Sequence, residues 1–155
     1  MHVMHAFLNS NSIAHFTKLN HSKEIIMAFT LSAIQQAHQQ FTGVDFPKLF
    51  KAFKDMGMTY NIVNIQDGTA TYVHQSEDDI VTSSVKSTIP VAQKSNKAMV
   101  QDVLTRHQQG QTDFETFCDE MAEAGIYKWH IDIHAGTCTY IDLKEQAVIS
   151  ELIPQ

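Results

Sequence analysis

At 155 residues, with 43% hydrophobic and 18% charged side chains, the chain is sized for one globular domain whose core needs neither disulfides nor metal. A net charge of −6 and a pI near 5.8, with no Lys/Arg cluster, speak against a basic nucleic-acid face and against an anionic membrane surface. No apolar run approaches the roughly 20 residues of a membrane helix, and two cysteines are too few for a secreted disulfide framework, so a reducing cytoplasm is the expected location.

Residues 1 to 26, MHVMHAFLNSNSIAHFTKLNHSKEII, do not resemble the rest. Polar residues interrupt every apolar run, which rules out a signal peptide. Two readings stay open: a loosely attached tail, or an upstream-start artefact ahead of Met27. Lys23-Glu24 fits the second, because its codons can form a purine-rich ribosome-binding sequence.

A first helix is expected from Thr30 to about Gln40, with Thr30 as N-cap. Asp45 then caps a second helix whose apolar stripe is Phe46, Leu49, Phe50 and Phe53, with Pro47 tolerated in the first turn. Gly57 suits the left-handed residue that stops a helix. Thr59 to Ile65 and Thr69 to Val73 read as a hairpin turning at Asp67-Gly68, and Ile80 to Ile89 should hold a third strand. The plan then repeats. A helix carries Met99, Val100, Val103, Leu104 and His107 on one stripe. Asp113 caps the next, with Phe114, Phe117, Cys118 and Met121. Gly125 stops it. Tyr127 to His134 and Thr137 to Ile141 form a hairpin at Ala135-Gly136, and Val148 to Ile153 is the last strand.

The repeat is literal at several positions. Asp45 and Asp113, Gly57 and Gly125, Gly68 and Gly136, and Tyr72 and Tyr140 all stand 68 residues apart. The expected fold class is α+β: an internal duplication of an α-α-β-β-β unit forming one pseudo-two-fold domain over residues 27–155, with units at about 29–90 and 95–154. Neither unit alone should bury the apolar faces of its strands and helices.

One constellation could carry chemistry. A two-residue turn pairs His134 with Thr137, Asp132 with Thr139 and His130 with Ile141. Trp129, Ile131 and Ile133 claim the core face, which puts His130, Asp132 and His134 together on the outer face, about 6.6 Å from one to the next. Two histidines flanking an aspartate could ligate a metal or act as an acid–base pair. The bland reading is the wet outer face of a sheet. Ile62, Asn64 and Gln66, at the same places in the first half, have no such chemistry. Cys118 and Cys138 fall on apolar faces and read as inert buried thiols. His38 and His107 read as satisfied helix histidines. No phosphate loop, nucleophile elbow, HExxH or CxxC is present.

The segments TDFETFCDEMAEAGIYKW and TCTYIDLKEQAVISELIP resemble the YbcV-like family of small bacterial proteins. The likeness runs over roughly Phe29 to Pro154 and is sharpest in the FC, AGIYKW, TCTY and ELIP segments. It implies a domain of unknown function from prophage regions, sometimes labelled phage envelope protein, with a native start near Met27. It carries no established activity, so it assigns no catalytic residue.

The function expected is therefore a non-catalytic module that binds a small ligand or a protein, with a groove where the two halves meet. It needs no cofactor or metal, and neither nucleic acid nor membrane is a partner. The alternative is a metal-dependent or acid–base enzyme using His130, Asp132 and His134. A third reading is a homo-oligomer paired through an exposed sheet edge.

Overall fold

The computed structural model describes residues 28–153; the tail reading for residues 1–26 lies outside them. Each helix begins at a side chain able to cap it. Thr30 Oγ1 accepts the Ala33 N–H at the start of α1 (Leu31–Phe41), and Asp45 accepts the Lys48 N–H at the start of α2 (Phe46–Asp55). Asn96 does the same for α3 (Lys97–Gln108) and Asp113 for α4 (Phe114–Glu123). Such an oxygen satisfies an N–H that a helix start leaves without a partner, worth about 1 kcal/mol. Gly57 and Gly125, at φ 83° and 90°, turn the chain out of α2 and α4 into the strands that follow.

The strands are β1 (Met58–Asn64), β2 (Thr69–His74), β3 (Ile80–Ser83), β4 (Ile126–Asp132), β5 (Thr137–Asp142) and β6 (Ala147–Leu152). They form one antiparallel sheet in the order β3-β2-β1-β4-β5-β6. The fold is α+β, and the order α-α-β-β-β occurs twice along the chain.

The pairing is symmetric about the middle of the sheet. In the β1–β4 pair, Tyr60 faces Asp132 and Asn64 faces Lys128. Lys128 lies 68 residues after Tyr60, and Asn64 lies 68 before Asp132. Asn61 faces Tyr72 as Trp129 faces Tyr140, and both hairpins bulge at matching places, Thr59 and Tyr127. The match weakens outward. β6 sits one residue out of step with β3 until an irregularity between Tyr140 and Ile141.

Both hairpin turns differ from the two-residue expectation. Asp132 pairs with Thr137 and His130 with Thr139, a shift of two residues that leaves the paired side chains on their expected faces but takes Ile133 and His134 out of the strand and into the turn. The cause is the side chain before each turn. Asp132 Oδ1 accepts the N–H groups of His134 and Ala135, and Asn64 Oδ1 accepts those of Gln66 and Asp67. Each holds a four-residue connection that closes on a positive-φ glycine, Gly136 or Gly68.

The helices cover one face. From it Val63, Ile65, Ala70, Tyr72, Trp129, Ile131, Cys138 and Tyr140 enter one core with the helix stripes. Phe53 and Trp129 are fully buried there, and truncating either to alanine should cost about 3–5 kcal/mol. The opposite face carries Tyr60, Ile62, Thr71, Val73, His130, Thr139 and Ile141, all half-buried or exposed. Among the described residues, no helix is long and apolar enough to cross a membrane.

Candidate functional site

The three strand-face candidates sit apart in their surroundings. His130 is half-buried at the centre of the outer face, its ring 6.5 Å from that of Tyr60, and its Nε2 is buried without a hydrogen-bond partner. Burial lowers its pKa, helped by the charge on Lys128. Asp132 shares that face, but its Oδ1 holds the turn. His134 lies in that turn, outside β4, and is exposed. Among the described residues, no group of three or more His, Cys, Asp or Glu stands ready to hold a metal ion.

The other singled-out side chains belong to the core. Cys118 and Cys138 are buried free thiols whose pKa burial drives upward. Trp129 and Tyr140 pack together at 5.6 Å. His38 and His107 are buried near the ends of α1 and α3. Nδ1 of His38 meets Thr42 Oγ1 at 2.9 Å, and Nδ1 of His107 meets Thr112 Oγ1 at 2.8 Å.

A second polar group, close to His130, gave no sequence signal. Tyr127 is the bulged residue of β4. Its hydroxyl donates to Glu145 Oε2, and the Lys128 ammonium meets Glu145 Oε1 at 2.9 Å. The same ammonium lies 5.1 Å from the Tyr127 ring centroid. The Lys128 side chain is only 18% exposed. Burial works against its charge, but its bonds to Tyr127 and Glu145 prevail and raise its pKa. The hydrogen bond from the Tyr127 hydroxyl, and then that from Lys128, lowers the pKa of Glu145. Glu145 is the one non-glycine residue with positive φ among the described residues, at 63°. That conformation costs about 1–2 kcal/mol for a residue with a Cβ. Sequence alone could not find it, since nothing in Leu143-Lys144-Glu145 marks a left-handed residue.

The halves are joined by residues 84–96, which strap the end of the sheet to α4. The Ser84 and Ser87 N–H groups donate to Gly68 and Ile65 carbonyls, each at 2.8 Å. The Asp119 carboxylate accepts the Thr88 N–H at 2.7 Å, the Thr88 hydroxyl at 2.6 Å and the Ser87 hydroxyl at 3.3 Å. Further along, the Ala92 and Asn96 N–H groups donate to Ala122 and Ala124.

The strap walls two clefts. One, of about 420 Å³, has an apolar lining of Ile65, Ile89, Pro90, Val91 and Leu143, with Gln66, Lys86, Ser87, Thr88 and Gln93 completing it. It lies where the halves meet, the expected place for a groove. The other, of about 490 Å³, is polar, lined by Ser84, Lys86, Thr88, Glu115 and Asp119 beside Val85. A smaller hollow of about 240 Å³ lies between α1 and α2. His130, Asp132 and His134 line none of the three.

A family described as "Protein of unknown function (DUF1398)" matches the chain over residues 35–152. No curated protein matches it.

Proposed function

The chain belongs to the DUF1398 family of proteins of unknown function, and on that footing we propose that it is a non-catalytic binding module. Its ligand is a small molecule with an apolar body, held in the cleft beneath the strap. The observation that carries this reading is the lining of that cleft. Five apolar residues face a volume of about 420 Å³, within the usual range for a small-molecule site. The lining includes one titratable side chain, Lys86, which suits binding better than acid–base chemistry. The alternative, acid–base or metal chemistry by His130, Asp132 and His134, is less well supported, because Asp132 is committed to a turn that carries His134 off the strand.

Three further readings belong to the same proposal. The two α-α-β-β-β units arose by duplication within one domain of residues 27–155; the symmetric β1–β4 register supports this. The protein is YbcV-like and of prophage or mobile-element origin, on the FC, AGIYKW, TCTY and ELIP segments. It works in the cytoplasm, which suits two free buried thiols.

Indole, a neutral apolar fragment, tests the site. Titrated into labelled protein, it should shift the amides of Gln66, Leu143 and the strap, and Leu143→Asp should abolish those shifts while the rest of the spectrum stays native. Shifts elsewhere, or shifts that survive in Leu143→Asp, would reject the cleft as the site.

A further inference from the structure

We propose that Tyr127 and Lys128 form a recognition site for the carboxylate of a ligand, closed in the free protein by the side chain of Glu145. The site lies beside Lys128 on the outer face of the sheet, and none of its three side chains lines the strap cleft, so the proposal does not rest on that cleft.

Glu145 shows what the site accepts. Its two oxygens are used separately: Oε1 takes the Lys128 ammonium at 2.9 Å, and Oε2 takes the Tyr127 hydroxyl. Two donors arranged for the two oxygens of one group suit a carboxylate and not a monatomic anion. The donors are built in. The Lys128 ammonium lies over the Tyr127 ring, so a cation and a hydroxyl stand side by side as a pair of donors for one carboxylate. The closing residue is held less firmly. The Glu145 side chain is 59% exposed, and its backbone sits at φ 63°, where glycine is at ease and glutamate is strained. Glu145 takes this conformation in a turn closed by its own N–H on the Asp142 carbonyl at 3.0 Å, and from there its carboxylate reaches both donors. His130 is within electrostatic reach of Glu145, and its Nε2 is buried without a hydrogen-bond partner.

Acetate is the probe, at constant ionic strength and with chloride as the competing ion. Glu145→Gly removes the carboxylate and gives the turn the residue its φ favours; Glu145→Gln removes the charge and keeps the side chain. Both should bind acetate at least about tenfold more tightly than the native chain, the difference one charge-assisted pair makes. Amide shifts at Tyr127 and Lys128 should follow the titration, chloride should not displace acetate, and adding Lys128→Ala should abolish binding. Equal weak binding by native and Glu145 variants would overturn the proposal. So would acetate binding that survives Lys128→Ala, or displacement by equimolar chloride.

Discussion

Ile62 and His130 face each other across β1 and β4, and they stand 68 residues apart, so each occupies the other's place in the symmetric register. One is an aliphatic side chain suited to a half-buried strand. The other is an imidazole whose Nε2 is buried without a partner and whose pKa burial depresses. At the centre of the outer face the two halves therefore differ in chemistry.

That contrast gives a stability prediction. His130→Ile places in the second half what the first half already has. It removes an unsatisfied buried nitrogen and adds a β-branched residue on a pleated surface. Urea unfolding at neutral pH should show a gain of about 0.5–1 kcal/mol. A loss of that size would mean His130 makes a contact the protein relies on.

His38 should make the fold acid-sensitive. It is 5% exposed, its Nδ1 bonded to Thr42 and its Nε2 3.2 Å from the Tyr72 hydroxyl. Burial lowers its pKa from 6.5 to about 4. The folded state therefore holds the neutral ring, and the unfolded chain takes up the proton first. Its contribution is whole above pH 6.5 and is lost as the pH falls from there to about 4, up to about 3 kcal/mol. Unfolding free energies at pH 7 and pH 4.5 should differ accordingly, and His38→Asn should flatten the difference. Identical pH profiles for the two proteins would show that His38 is not the group responsible.

Two glycines with similar φ should respond very differently to alanine. Gly43, at 79°, has open space around its missing Cβ. Gly125, at 90°, lies against the strap, and a Cβ there would stand 2.5 Å from Ser95 Cα and 2.8 Å from the Lys94 carbonyl oxygen. Gly43→Ala meets only the left-handed penalty, about 1 kcal/mol. Gly125→Ala must also push backbone aside and should cost more than about 3 kcal/mol. Thermal melts of the two variants decide it; equal losses would mean the strap gives way freely.

What was legible in the sequence follows the range of the forces involved. Caps, glycine stops and apolar stripes act within a few residues, so Asp45, Asp113, Gly57 and Gly125 could be placed from the chain alone. Strand faces were legible because Trp129 and Ile131 alternate with polar residues. The hairpin register was missed by two residues because Asp132 and Asn64 each capture two N–H groups and lengthen the turn. That choice depends on one side-chain oxygen, not on a pattern. The strap and the Glu145 site were illegible for another reason. Asp119 meets Thr88 across 31 residues and Glu145 meets Tyr127 across 18, and no local spacing announces such contacts.

Asp119 links the stability of the strap to the proposed ligand site. Its carboxylate holds Thr88 and Ser87, which also line the cleft. Burial opposes its charge, but the Thr88 and Ser87 bonds outweigh that and lower its pKa below the ordinary 3.8. The folded state thus favours the carboxylate, and this stabilisation is present above pH 3.8 and fades as the pH falls below it. Asp119→Ala removes the acceptor for the Thr88 N–H and should cost about 1–2 kcal/mol in urea unfolding. Asp119→Asn keeps one acceptor oxygen and should lose less. Because the strap also walls the cleft, the alanine variant should bind indole more weakly than the native chain under conditions where both are fully folded. If Asp119→Ala loses stability yet binds indole as tightly as before, the strap is a structural tie only, and the wall of the cleft is set by Ile65 and Leu143 alone.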